Sequence, residues 1–181
     1  MAKRTPLRAL ILGGAGTLHD DRDRALKLFK PDLIIACNHA ARDHEGEVDA
    51  WATMHPDLRD RLWLKQRARA GLPTAKSLWH PKHRGEWRGS RPIRTWGGSS
   101  GMLCIAVGYE LGCTHLVLAG VPLSKMEGHY DDPKPWIECR QYHSVWKRTA
   151  HRIEGRVKSM SGWTRDLLGE PTAEWLDGDT T

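Results

Sequence analysis

The chain has 181 residues, of which 39% are hydrophobic, and a formal net charge of +6 from 28 basic and 22 acidic side chains. This length predicts one domain with a substantial core, and no apolar run approaches the roughly 20 residues of a membrane span. The amino terminus lacks the apolar stretch of a signal peptide, and the four cysteines are scattered without a C-x-x-C pair. We therefore expect a cytoplasmic protein with reduced cysteines.

Short apolar runs alternate with longer segments of helical character along the chain. The short runs end at glycine, proline or asparagine, which is typical of buried strands. The predicted strands are 7–12, 33–37, 49–54, 76–79, 115–119 and 156–160, and the predicted helices are 20–30, 57–70, 99–111, 136–154 and 164–168. This alternation favours an α/β fold, a Rossmann-like three-layer sandwich with a mostly parallel sheet. We predict that residues 1–181 form a single α/β nucleotide-binding domain.

Basic charge is concentrated in residues 57–94, where eleven lysines and arginines accompany only three acids. Four tryptophans lie in the same part of the chain, within residues 57–98. We interpret 57–98 as a basic, Trp-rich insertion that forms a lid over an anionic substrate. The alternative is a nucleic-acid surface, because cations interleaved with aromatic rings suit phosphates and bases. Its candidate residues are Arg67, Arg69 and Arg84.

Two glycine-rich loops stand at predicted junctions between strands and helices. The first runs from Gly13 to Thr17 after the strand at 7–12, and the second runs from Gly97 to Gly101, where a helix begins. Small residues let backbone N–H groups approach an anion, and a helix N-terminus adds partial positive charge. The loops therefore predict a phosphate site, on a nucleotide, although each loop alone is equally compatible with a tight turn. The candidate binding residues are Gly13, Gly14, Gly16, Thr17, Ser99, Ser100 and Gly101.

Neither common nucleotide fingerprint is complete in this chain. The dinucleotide pattern requires a glycine where the chain has His19, and the second strand is followed by Asn38 rather than an acid. The G-x-x-x-x-G-K-[ST] loop is absent, so neither NAD, FAD nor a P-loop is expected. Asn38 follows a buried strand at the sheet edge where such folds bind ligands, and its amide offers a donor and an acceptor to a base or ribose. The alternative is that Asn38 stabilises only its own turn.

Ten histidines supply candidates for a general base near neutral pH. His55 ends a predicted strand, His129 lies beside Tyr130 in a polar loop, and His143 lies on the following helix. Each of them has a structural or solvated role as its alternative. No histidine pair has metal-site spacing together with a third partner, so no metal is expected.

Several separated segments resemble one superfamily, the bacterial lipooligosaccharide sialyltransferases and the related 6-hydroxymethylpterin pyrophosphokinase-like proteins. Residues 12–18 are similar to their Gly-x-Gly-Pro-Ser-Leu loop, and residues 36–38 resemble their Cys-Asn. Ser99-Ser100-Gly101 is similar to their Thr/Ser-Ser-Gly segment, which small phage-encoded members of the superfamily also contain. Tyr142-His143-Ser144 resembles the sialyltransferase Gly-His-Ser that holds the catalytic base. The chain departs from the pattern where Ala15-Gly16-Thr17 replaces Pro-Ser and where Val121-Pro122 replaces an acid.

The resemblance implies a glycosyltransferase-like transferase that takes a nucleotide or nucleotide sugar as donor, with no cofactor or metal. An anionic acceptor is one option for its partner substrate. By the same resemblance, His143 would be the base, and Tyr130 or Tyr142 would steady the departing phosphate. His129 is our second choice for the base. The same resemblance implies as an alternative a Mg-ATP-dependent pyrophosphokinase-type phosphotransferase, with Mg²⁺ on Asp131 and Asp132 or on Asp49. A third hypothesis is a non-enzymatic phage accessory protein that binds nucleotide or nucleic acid through the basic segment.

Overall fold

The computed structural model describes residues 6–178, and within them it shows a seven-stranded parallel β-sheet. The strands are β1 (Arg8–Leu12), β2 (Leu33–Cys37), β3 (Ala50–Ala52), β4 (Leu78–Pro81), β5 (Ser90–Ile93), β6 (His115–Ala119) and β7 (Val157–Ser159). Their order across the sheet is β5-β4-β3-β2-β1-β6-β7, with every pairing parallel. The predicted Rossmann-like α/β architecture is therefore confirmed.

Helices connect the strands and cover the sheet. They are α1 (Leu18–Leu28), α2 (Asn38–Asp43), α3 (Pro56–Leu58), α4 (Leu64–Arg69), α5 (Ser100–Glu110), α6 (Arg140–Ile153), α7 (Gly162–Leu168) and α8 (Ala173–Asp177). A π-helical segment, Arg59–Trp63, joins α3 and α4 into one continuous helix. Within residues 6–178, none of these helices is both long enough and apolar enough to cross a membrane.

The sheet separates two hydrophobic cores, because alternate side chains of a strand point to opposite faces. In β1, Ile11 belongs to the core that contains the buried face of α5 and Trp146 of α6, whereas Leu10 belongs to the core that contains Ala25 of α1 and Trp63. Helix α5 is buried along eight consecutive residues, 101–108, which explains why its sequence is apolar throughout. Three layers result, with the sheet in the middle.

Part of the segment 57–98 belongs to the sheet, because it contains strands β4 and β5, and its role as a lid over an anionic substrate stays a prediction. After α4, strand β4 pairs with β3 through Trp51 and Leu78, and β5 then pairs with β4 and forms the sheet edge. Sequence patterns missed β5 because it is short, basic and contains Pro92, a residue that a strand tolerates at an edge. Of this segment, Gly98 contributes to the pocket described below.

Arg67 is a structural residue and not a surface cation. Its side chain is 2% exposed, and its guanidinium donates hydrogen bonds to a set of backbone carbonyl groups, those of Ala41, Arg42, His44, Gly46 and Pro73, at 2.7–3.3 Å. Those bonds remove Arg67 from the predicted nucleic-acid surface. Arg69 and Arg84 are exposed, as that hypothesis requires.

Candidate functional site

A pocket of about 440 Å³ opens at the carboxyl edge of the sheet. Residues that follow β1, β2, β3 and β6 line it together with the N-terminus of α5 and the long loop between β6 and α6. Open parallel sheets bind their ligands at this edge, and the volume suits a small molecule. Its polar and glycine lining includes Gly13, Gly14, Asn38, His55, Ser99, Ser100, Gly101, Gly128, His129, Asp132, Lys134 and Tyr142.

The first glycine loop is tied by its backbone to the end of β6 and the loop beyond it. Three N–H groups donate to carbonyl oxygens of that stretch at 2.8–3.1 Å, Gly13 to Ala119, Ala15 to Gly120 and Gly16 to Gly128. Gly13 and Gly14 line the pocket, whereas Gly16 and Thr17 lie outside its lining. Because these three N–H groups are already hydrogen bonded, an anion would have to displace a protein carbonyl to reach them.

Gly13 and Gly14 are required by close packing. A Cβ atom at Gly13 would lie 2.2 Å from the backbone oxygen of Gly120, and one at Gly14 would lie 2.2 Å from Nε2 of His129. Real Cβ atoms essentially never come this close to another heavy atom, so Gly13 is required by the rigid backbone beside it, and any side chain at position 14 would have to displace the His129 ring. The imidazole of His129 therefore rests directly against the backbone of the first loop.

The second glycine loop forms the N-terminus of α5 at the pocket. Ser99 is the N-cap, and its Oγ accepts hydrogen bonds from the Met102 N–H at 3.3 Å and the Trp146 Nε1–H at 3.1 Å. A Cβ atom on Gly101 would lie 2.8 Å from Cγ1 of Val121, so this glycine lets α5 approach the end of β6. The first N–H groups of a helix have no partner within the helix, and they give this wall of the pocket partial positive charge.

Asn38 joins three elements at the pocket. Its Nδ2 donates to Ser100 Oγ at 3.1 Å, and its Oδ1 accepts from Thr53 Oγ1 at 2.8 Å. Its φ is +47°, a left-handed conformation that is uncommon outside glycine and costs on the order of 1–3 kcal/mol. The predicted position of Asn38 at the carboxyl edge is thus correct, and its amide holds the end of β2 to the start of α5.

His129 lines the pocket and is paired with a carboxylate. Its Nδ1 makes a short hydrogen bond with Oδ1 of Asp131. The other oxygen of Asp131 lies 3.0 Å from Nδ1 of His39 and 3.2 Å from Nη2 of Arg42. His39 in turn meets Trp63 edge to face, with 5.0 Å between ring centroids. Sequence reasoning missed the pairing with His39, which lies on α2 far from His129 in the chain.

Burial and the nearby charges set the protonation of this cluster. Burial, followed by the positive charge of Arg42, lowers the pKa of His39 below its usual range. Partial burial acts to raise the pKa of Asp131, but the hydrogen bond from His129 and the positive charges nearby outweigh it and lower that pKa. At neutral pH, His39 is therefore neutral and Asp131 is ionised.

Tyr130 points away from the main pocket. Its hydroxyl donates to Asp43 Oδ2 at 2.5 Å, and the residue lines a separate pocket of about 230 Å³. Burial and the hydrogen bond to Asp43 raise the pKa of Tyr130 well above its usual range. Tyr142, the other tyrosine considered for the departing phosphate, lines the main pocket.

His143, the first-choice base, lies outside the lining of the main pocket. Its ring stacks on Trp163 with 3.8 Å between centroids and an angle of 2°. Its Nε2 lies 2.8 Å from the carbonyl oxygen of Leu123, so Nε2 carries a proton and donates it. His55, which the sequence placed at the end of a strand, does line the pocket.

The acids considered for Mg²⁺ are divided between the two edges of the sheet. Asp49 precedes β3, accepts a hydrogen bond from the Ile34 N–H at 2.8 Å and pairs with Lys76 at 2.9 Å. It therefore holds the amino edge of the sheet together, away from the pocket. Asp132 lines the pocket, and Asp131 contacts the two histidines.

No protein-family model matches this chain, and no curated protein sequence matches it. Its fold is similar to the crystal structure of a monofunctional alpha-2,3-sialyltransferase from Campylobacter jejuni, with a TM-score of 0.62. The match covers 100% of this chain and 85% of that chain at 11% sequence identity. An identity this low establishes a shared fold, which confirms the sialyltransferase-like architecture that the sequence segments implied, and it does not establish a shared reaction.

Proposed function

We propose that this protein is a glycosyltransferase-like transferase that binds a nucleotide-activated sugar in the pocket at the carboxyl edge. The observation that carries the proposal is that a carboxylate-paired histidine, His129, and the N-terminus of α5 line one pocket. Group transfer from a nucleotide requires both a base for the acceptor and a positive site for the departing phosphate. The fold it shares with a sialyltransferase supports the same reading.

The departing phosphate is assigned to the wall formed by α5. Helix N-termini bind phosphates because their N–H groups lack partners and their dipole is positive. Lys134, which also lines the pocket and whose ammonium lies 3.8 Å from the Asp132 carboxylate, adds a cationic side chain there. Charge that develops on the phosphate oxygens during transfer would be stabilised there, so the transfer step itself needs no metal ion.

The base is assigned to His129 in preference to His143. Asp131 accepts the Nδ1–H of His129, which leaves a lone pair on Nε2, the atom that rests against Gly14 at the pocket. Nε2 takes the proton of the acceptor hydroxyl as its oxygen attacks the anomeric carbon. The bond from that carbon to the phosphate oxygen breaks, and the nucleotide leaves with the electron pair.

Calorimetric titration of CMP-, UDP- and GDP-sugars, each with and without Mg²⁺, tests the binding step. Ser100→Asp keeps a residue suited to the first turn of α5 but adds a carboxylate to the pocket, and Ser144→Asp on the exposed face of α6 is the matched control. Two like charges roughly 5 Å apart repel by about 3 kcal/mol at an effective dielectric of about 20. We expect at least tenfold weaker binding for Ser100→Asp alone. ATP is titrated in the same way, and binding of ATP alone, only in the presence of Mg²⁺, would favour the phosphotransferase. If none of the nucleotide sugars binds, the proposal is refuted.

Hydrolysis of the bound donor, with water as acceptor, tests the base. His129→Gln removes the base. The rate of donor hydrolysis by this variant should fall by about 10²–10⁴-fold, while its affinity for the donor changes little. His143→Ala should retain the rate of the parent protein. A fall confined to His143→Ala would transfer the role of base to His143.

A further inference from the structure

His39, His129 and Asp131 bring two imidazoles and one carboxylate to the rim of the pocket. We propose that these three side chains bind a divalent transition-metal ion, of which Zn²⁺ is the type. One ligand atom from each residue lies within 4.8 Å of the other two. His39 lies on α2, and His129 and Asp131 lie in the loop between β6 and α6. The three side chains therefore come together only in the folded protein.

The spacing of the ligand atoms fits a tetrahedral ion. Metal–ligand distances of about 2.0–2.2 Å place neighbouring ligand atoms roughly 3.3 Å apart. Nδ1 of His39 already lies 3.0 Å from Oδ2 of Asp131, and Nδ1 of His129 contacts the other oxygen of that carboxylate. The widest pair would have to close by at most about 1.5 Å, a movement within reach of side-chain rotation.

The surroundings hold the ligands in place. Trp63, which is 5% exposed, contacts the His39 ring from the π-helical segment, and the Gly14 backbone supports His129. Arg42 bridges Asp131 and Asp43 at the outer side of the cluster, as outer partners of ligating carboxylates commonly do. The two carboxylates and one guanidinium leave a net negative environment that favours a cation.

The donor set selects the class of ion. Imidazole nitrogens favour Zn²⁺, Cu²⁺ and Ni²⁺, whereas Mg²⁺ and Ca²⁺ prefer oxygen ligands throughout. Three protein ligands leave a fourth position for water, and Asp131, whose side chain is 33% exposed, keeps the cluster accessible to solvent. The expected ligand is therefore a soft or borderline divalent ion.

Occupancy of this cluster has a consequence that rests on the proposed function. A metal ion bound to Nδ1 of His129 needs the lone pair of that atom. The single proton of the neutral ring would therefore have to sit on Nε2. Nε2 would then carry a proton and could no longer accept one from the acceptor hydroxyl. We therefore expect Zn²⁺ to inhibit transfer and EDTA to restore it, whereas a required metal would show the opposite pattern.

Calorimetric titration of EDTA-treated and dialysed protein with ZnCl₂ tests the metal site independently of activity. We expect one Zn²⁺ per chain, at least tenfold weaker binding in His39→Ala, unchanged binding in the exposed control His151→Ala, and no competition from excess MgCl₂. Circular dichroism verifies that His39→Ala is folded. The visible spectrum of the Co²⁺-loaded parent protein, which reports a tetrahedral nitrogen and oxygen site, provides a second measurement that needs no variant.

The proposal is overturned if the parent protein takes up no Zn²⁺, or if His39→Ala binds it as tightly as the parent. Zn²⁺ binding in a protein that neither binds nor hydrolyses any nucleotide sugar would leave the metal site intact and refute only the transferase. If the protein takes up no Zn²⁺ but hydrolyses the donor at a rate that Zn²⁺ does not change, the metal site is refuted and the transferase proposal stands.

Discussion

Three glycines in the loop between β1 and α1 provide a graded test of the site's construction. In Gly13→Ala the new Cβ meets a backbone oxygen at 2.2 Å, and in Gly14→Ala it meets the side chain of His129 at the same distance. In Gly16→Ala the nearest atom is 3.7 Å away, at the carbonyl oxygen of Gly128, and the φ of Gly16 is not positive. A methyl group would therefore clash with rigid backbone at Gly13, clash with a movable ring at Gly14 and fit without a clash at Gly16.

The three contacts predict different changes in the free energy of unfolding. Overpacking costs about 1–3 kcal/mol, and more where the neighbour cannot move. We expect Gly13→Ala to lose at least about 3 kcal/mol and Gly14→Ala to lose about 1–2 kcal/mol, because its clash is with a side chain. Gly16→Ala should gain about 0.4–1 kcal/mol, since alanine restricts the unfolded chain without strain in the folded one.

Thermal unfolding measures the order directly. For a chain of this size, 1 kcal/mol corresponds to a change of about 2–4 °C in Tm, so Gly13→Ala should melt roughly 6–12 °C below the parent protein. NMR signals of the histidine rings should show that Gly14→Ala displaces His129 and Gly16→Ala does not. Equal Tm values for Gly13→Ala and Gly16→Ala would refute the close approach of the first loop to the end of β6.

Three further predictions concern residues that support the site. Arg67→Met should lose about 3 kcal/mol or more in urea unfolding because it leaves several buried carbonyl groups without donors, whereas the exposed Arg69→Met should stay within about 0.5 kcal/mol of the parent. Asp21 is 2% exposed and accepts the Gly120 N–H at 3.0 Å, so Asp21→Asn should lose about 1–3 kcal/mol by the same measurement. Burial, then the charges of nearby arginines, lowers the pKa of His44 below 6.5. The unfolded chain therefore binds the proton more readily, and the free energy of unfolding falls as pH drops below about 6.5. His44→Asn should make the free energy of unfolding less dependent on pH in this range. An unchanged pH dependence would contradict the lowered pKa of His44.

Much of the fold followed from local patterns in the chain. The apolar runs of β1, β2 and β6 and the apolar helix α5 were predicted within two residues of their observed bounds, because burial on both faces leaves a continuous hydrophobic signal. Turn chemistry placed Asn38 and both glycine loops at the carboxyl edge. These features depend on neighbours in sequence or on the general rules of parallel sheets.

The remaining features depend on which distant residues meet. The sheet order puts β1 between β2 and β6, and that order brings His39, at the end of β2, beside a loop that follows β6. No periodicity encodes a contact between residues so far apart, so the pairing of His39 and His129 through Asp131 was not predicted. The same holds for Arg67, whose charge suggested the surface while its hydrogen bonds to buried carbonyl groups keep it inside. The chain alone thus determined the architecture and the edge of the sheet at which the pocket opens, and tertiary packing decided which side chains reach that edge.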